Sequence, residues 1–172
     1  PTLIPERRLI ANVDGVMNAV LVQGDAVGPT LYYGAGAGSL PTASAVVADI
    51  IDVARTLTTD PENRVPHLAF QPGELSDMPV LPMDDVVTAY YLRMTVEDRP
   101  GVLAAVSGIL SEHGISIEAM QQKEPAEGET QVPLVMLTQS VRESQMNAAL
   151  GGIEALDSVA GEVTRIRVEQ LK

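Results

Sequence analysis

Asp98-Arg99-Pro100-Gly101 stands between an alternating apolar run and a helix-spaced one. Those residue types in that order suit the capture of a small zwitterion. The first N–H groups of a helix have no intrahelical partner and lie at the positive end of its dipole, so that end can take an α-carboxylate. The Asp98 carboxylate suits an α-amino group. Gly101 has no Cβ, so a ligand can come close to the backbone. The same residues also fit an ordinary N-cap, a first-turn proline and a loop glycine, and capping is their commoner use. A second stretch, Gly34-Ala35-Gly36-Ala37-Gly38, precedes another helix and suits the approach of a phosphate or cofactor. Its G-x-G-x-G spacing is not the dinucleotide fingerprint, and a plain strand-to-helix turn accounts for it equally well. His67 and His113 have no ligand-type residue at i+3 or i+4, so no metal site is expected. Asp84-Asp85 read as solvated, and no catalytic constellation is present.

The elements that must hold these residues fall into two groups. In residues 1–58, the apolar runs Val16–Val22 and Thr30–Tyr33 flank "QGDAVG" and predict a β-hairpin. Val46, Val47, Ile50, Ile51, Ala54 and Leu57 recur at helical spacing and predict a helix over about 41–58, with Ser39 as N-cap and Pro41 in the first turn. Residues 59–87 hold five of the twelve prolines and read as a linker, with one short extended piece at Val65–Phe70. In residues 88–172, Tyr90, Leu92, Met94 and Val96 alternate as a half-buried strand. Val102, Leu103, Val106, Ile109 and Leu110 form a helix stripe that Gly114 stops. Ile115, Ile117 and Ala119 alternate as a second strand, and Val132–Thr138 is apolar on both parities, as in a central strand. Ser140 and Glu143 have capping-box spacing ahead of a helix with Met146, Ala149, Leu150 and Ile153 on one face. In a fourth strand Thr164, Ile166 and Val168 alternate with Arg165 and Arg167, the arginines on the solvated or partner-facing side. The order is βαββαβ, an α+β arrangement with a four-stranded antiparallel sheet backed by two helices. Such a sheet leaves a free face or edge, and pairing between copies is expected.

The whole composition narrows the function. Of 172 residues, 45% are apolar and only 3% aromatic, so any core is aliphatic. A net charge of -12 without a basic run argues against nucleic acid and anionic membrane as partners. The absence of cysteine excludes disulfides and thiolate chemistry. No apolar stretch approaches the ~20 residues of a membrane span, and a cytoplasmic protein is expected. The chain opens on Pro1 rather than Met, as a piece of a longer chain would.

Two blocks carry a resemblance. "NVDGVMNAVLVQGDAVGPTLYYGAGAGSLPTASAVVADIIDVAR", Asn12–Arg55, resembles the end of the catalytic domain of homoserine dehydrogenase, with "YYGAGAGSLPTASAVVADI" as its specific part. "EDRPGVLAAVSGILSEHGISIEAM", Glu97–Met120, resembles an ACT domain, the βαββαβ regulatory module that binds amino acids. That family appends an ACT domain in this order. The resemblance implies residues 1–58 as the end of a catalytic domain, 59–87 as linker and 88–172 as a ferredoxin-like ACT domain. It implies an NAD(P)-dependent enzyme interconverting L-homoserine and L-aspartate 4-semialdehyde. Its nucleotide-binding domain and catalytic residues lie upstream in the family, so this stretch alone is expected to be inactive and to hold no bound cofactor. Gly34, Gly36, Gly38 and Pro41 would flank the nicotinamide, with helix initiation as the other reading of Pro41. In the ACT unit, Asp98, Arg99, Pro100, Gly101, Val102 and Leu103 of one copy would face Ser116 and Ile117 of another. Several ACT domains have asparagine at the positions of Asp98 and Ser116, and the chain departs from them at both. L-threonine is the expected ligand, with isoleucine and methionine as related choices. Regulation would reach the active site only through the linker 59–87. A free-standing amino-acid-binding or pairing module without activity is the alternative.

Overall fold

The computed structural model describes residues 1–60, 69–125 and 128–171. It divides into two compact units, Glu6–Pro79, and Pro1–Pro5 together with Val80–Lys172. The predicted piece at Val65–Phe70 lies outside the described residues up to position 68; Ala69 and Phe70 form a bend.

In the Glu6–Pro79 unit, β2 (Met17–Gly24) pairs antiparallel with β3 (Gly28–Ala35). The three-residue loop between them closes because Asp25 Oδ1 accepts the Ala26 N–H at 2.7 Å, and Gly28 takes the left-handed conformation, φ +72°, that such loops place after the turn. The helix α1 (Ser39–Thr56) follows. It starts two residues before the predicted 41. Its N-cap is Gly38 rather than Ser39, with φ +117° and no side-chain cap; only glycine adopts that backbone without strain. None of the described residues of this unit is buried. Val46, Val47, Ile50 and Ile51 on α1 are all exposed.

The other unit contains the whole core. The strands are β1 (Thr2–Leu3), β4 (Val87–Glu97), β5 (Ile117–Gln122), β6 (Gln131–Thr138), β7 (Val141–Arg142) and β8 (Val159–Val168). The sheet order is β1-β8-β4-β6-β5, with β7 on the start of β4. The helices α2 (Val102–Glu112) and α3 (Glu143–Glu154) cover one face. Tyr90, Leu92, Met94 and Val96 of β4 and Val132, Leu134 and Met136 of β6 meet Val106 and Leu110 of α2 and Met146, Ala149 and Ile153 of α3. The α2 stop is a Schellman motif: Ile115 N–H donates to Leu110 O and Gly114 N–H to Ser111 O, both at 2.9 Å, with Gly114 at φ +70° and Ile115 buried at the end of it.

Several strand and cap readings change. A register shift in β5 between Ile117 and Ala119 turns Ala119 to the face opposite Ile117, so the simple alternation from Ile115 fails. The capping box is not made. α3 begins at Glu143, its N-cap is Arg142, and no side chain caps it. Glu143 N–H instead donates to Val86 O at 2.8 Å, because β7 lays the helix start against β4. Arg165 and Arg167 are not on the open side of the sheet: Arg165 pairs with buried Leu92 and Arg167 with buried Tyr90, which puts both on the helix-covered face, half-buried. β1, pairing parallel with β8 through Thr2↔Arg167 and Leu3↔Val168, is an element no sequence signal announced.

Candidate functional site

The Asp98–Gly101 turn is built where β4 ends. Glu97 N–H donates to Ser158 O and Asp98 N–H to Thr130 O, each at 2.9 Å, so the chain is pinned on both sides before it turns. Arg99 folds back onto Glu97 at 2.5 Å. Gly101 is the N-cap of α2, left-handed at φ +93° and ψ -20°, and no side chain caps the helix. A Cβ at Gly101 would meet nothing within 4 Å, so the space in front of the helix end is open. Asp98 is therefore not the N-cap. Its Oδ1 accepts from Gln122 Nε2 at 3.1 Å, which ties the turn to the end of β5. Val102 is buried in the core and Leu103 half-buried, and the Val102 N–H makes a long bond to Arg99 O at 3.5 Å. An uncapped helix terminus with an adjacent oriented carboxylate can hold a carboxylate and an ammonium at once.

Ser116 and Ile117 lie elsewhere. Ile117 pairs with Thr138, whereas Glu97 pairs with Gln131 at the other end of β6. Seven residues of strand separate the two ends, roughly 23 Å at about 3.3 Å per residue. One copy does not bring them to the turn. Gln122 reaches it instead, a residue that sequence reasoning missed because nothing in the local pattern says how far β5 runs past its bulge.

The glycine turn is shaped by local constraints. Gly34 pairs with Asn18 and has open space at its Cβ position. At Gly36 a Cβ would fall 1.4 Å from Asn18 Nδ2, so the Asn18 amide fills that space. Gly38 supplies the positive φ that starts α1, and Pro41 is the third residue of the helix, with Thr42 N–H donating to Gly38 O at 3.1 Å. The backbone is approachable at Gly34 and at the uncapped start of α1. At Gly36 a ligand would meet Asn18.

Comparison with known proteins settles the kinship of both parts. The homoserine dehydrogenase family model matches residues 1–51 and the ACT domain model residues 90–155. Homoserine dehydrogenase of Pseudomonas aeruginosa is 63% identical over 171 residues, 99% of this chain and 39% of that protein. That of Neisseria gonorrhoeae is 54% identical over the same share. The crystal structure of a homoserine dehydrogenase from Thiobacillus denitrificans superposes with TM-score 0.86 at 65% identity, covering 100% of this chain and 38% of that one. The chain is a homoserine dehydrogenase segment followed by an ACT domain. It spans about two-fifths of the length of the curated relatives it matches.

Inside the ACT domain lies a polar cluster that no motif indicated. Glu143 is 2% exposed and Tyr90 fully buried. The Tyr90 hydroxyl donates to Glu143 Oε2 at 2.6 Å. Arg167 grips the same carboxylate with two bonds, Nε to Oε2 at 2.9 Å and Nη2 to Oε1 at 2.8 Å. Arg165 Nη1 stands 3.2 Å from Oε1 and also donates to Asn147. Burial and the bond to the carboxylate push the Tyr90 phenol up to about 12. Burial by itself would raise Glu143; the Tyr90 hydroxyl and the two arginines outweigh it and hold the carboxyl below its usual range. Arg167 is raised by its bond to Glu143. Among the described residues no group of three or more His, Cys, Asp or Glu is placed to hold a metal, and no helix is long and apolar enough to cross a membrane.

Proposed function

We propose that the chain is the regulatory end of a cytoplasmic homoserine dehydrogenase, an NAD(P)-dependent oxidoreductase of amino-acid biosynthesis that interconverts L-homoserine and L-aspartate 4-semialdehyde. Its ACT domain binds an amino acid, L-threonine first, as feedback ligand. The observation that carries this reading is the start of α2 at Gly101, which no side chain caps, in the same turn as the Asp98 carboxylate that Gln122 holds. The ligand's carboxylate takes the N–H groups of Val102 and Leu103, in place of the long Val102 N–H bond to Arg99 O, and its ammonium takes Asp98. Ser116 and Ile117 act from a second copy, because the sheet places them at the far end of their own. The domain therefore works as a pair, and Arg99 and Pro100 shape the turn.

NAD(P), bound to the whole enzyme, supplies the hydride. In this chain the residues suited to its flank are Gly34 near the end of β3 and Gly38 and Pro41 at the start of α1, with Gly36 acting through the Asn18 amide in front of it. The exposed apolar face of α1 supports further chain around the catalytic segment. A second reading, a free-standing amino-acid-binding or pairing module, is supported by one fact: among the described residues, all the buried ones lie in the ACT-bearing unit. The mass of the source polypeptide separates the two readings.

The decisive experiment is calorimetric titration of the 172-residue chain with L-threonine, using L-serine, L-isoleucine and L-methionine as controls. Selective, saturable heat with threonine is expected. Silence from all four on a folded sample leaves the turn as a helix start and the ACT domain as a pairing device.

A further inference from the structure

The chain crosses between the two units twice, after Pro5 and after Pro79, and the ACT-bearing unit holds both crossings at one place, the end of β8. The first is held by β1. Thr2 and Leu3 pair with Arg167 and Val168, and Glu169 N–H donates to Leu3 O at 2.9 Å. The second is the 3-10 turn Met83–Asp85 leading into β4. Arg167 Nη2 reaches Met83 Sδ at 3.2 Å, and Arg142 Nη1 pairs with Asp85 Oδ1 at 2.7 Å. Asn147 Nδ2 lies 3.5 Å from Asp84 Oδ1, and Glu143 N–H donates to Val86 O at 2.8 Å. Asp84 and Asp85 are exposed, as expected, but each has a partner on β7 or α3. Thr88 joins the two crossings directly: its Oγ1 bonds Val168 O at 3.1 Å and Glu169 Oε1 at 2.8 Å. Thr88 is 2% exposed. Arg167 also belongs to both, through its backbone to Thr2 and its side chain to Met83.

We propose that these contacts form one clasp, organised by Arg167, Thr88 and Glu169, which tightens and loosens both crossings together. The linker is then not the sole route between regulation and the preceding unit. Any shift of β8 against α3 is delivered to two points of the chain at once. The clasp rests on contacts within one unit and does not depend on which ligand the α2 turn takes.

Two backbone amides report on it separately. Glu169 N–H is bonded to Leu3 O and reads the first crossing; Glu143 N–H is bonded to Val86 O and reads the second. Hydrogen exchange of both is measured in the 172-residue chain and in Thr88→Val, which keeps the side-chain shape and removes the hydroxyl. Both amides are expected to speed up by about fivefold, the size one net hydrogen bond gives, while Ile115 N–H on α2's far end keeps its rate. A second variant, Arg142→Gln, touches only the second crossing at the surface. It is expected to speed Glu143 and, through the shared groups, Glu169 as well. If Arg142→Gln speeds Glu143 alone, or if Thr88→Val leaves either amide unchanged, the crossings are independent and the clasp is wrong. If all three amides speed equally in Thr88→Val, the hydroxyl stabilises the domain as a whole, and that too overturns it.

Discussion

Single residues decide the chemistry of both polar places in the ACT domain. Glu143 has a lowered folded pKa, so its contribution to stability is present above the unfolded value, about 4.3, and is lost as pH falls below it. Tyr90 is raised to about 12, so its contribution is complete below about pH 10 and is lost as pH rises through 12. Thermal melts should therefore weaken at both ends of the pH range. Glu143→Gln is expected to remove most of the acid dependence and to cost roughly 3 kcal/mol, because it takes the charge from between two arginines. Tyr90→Phe should remove the alkaline loss, and absorbance titration of the wild-type chain should show a late tyrosine ionisation near pH 12 that Tyr90→Phe lacks. At the candidate site, Gly101→Ala meets no atom within 4 Å, so its cost is backbone strain alone, about 1 kcal/mol. It should nonetheless abolish threonine heat in calorimetry, since the methyl group enters the opening.

At the scale of elements, periodicity located α2, α3 and the strand β4 because each has one face in a continuous aliphatic core, whereas β6, apolar on both parities, buries only the Val132, Leu134, Met136 and Thr138 side. Caps were less legible. A serine three residues before a glutamate has the spacing of a capping box, but pairing of β7 with β4 moves the helix start past Ser140. Ser140→Ala should therefore cost less than about 0.5 kcal/mol in urea denaturation, as a surface change does, rather than the ~1 kcal/mol of a lost cap. The arginines of β8 were read on the wrong side for a related reason. Alternation says which residues share a face, not which face is inward. A buried carboxylate contributed by α3 turned Arg165 and Arg167 inward.

For the whole molecule, burial separates the parts. The Glu6–Pro79 unit buries none of its described residues, whereas the ACT-bearing unit has a closed core. Limited proteolysis of the isolated chain should cut first within Glu6–Pro79 and leave a resistant fragment containing Val87–Val168, detected by intact mass. Equal protection of both units would contradict the reading of residues 1–58 as part of a larger catalytic fold.

The sequence by itself determined the α+β class, the βαββαβ order and the kinship with homoserine dehydrogenase and ACT domains, because each rests on residues close together in the chain. It also marked the Asp98–Gly101 turn, whose residue types announce a special backbone. Only the tertiary structure decided that Asp98 bonds Gln122 instead of capping α2, and that Ser116 and Ile117 lie at the opposite end of the sheet. The same holds for Arg167, which joins Glu143, Thr2 and Met83. Those relations depend on strand register, and register is set by packing between segments tens of residues apart.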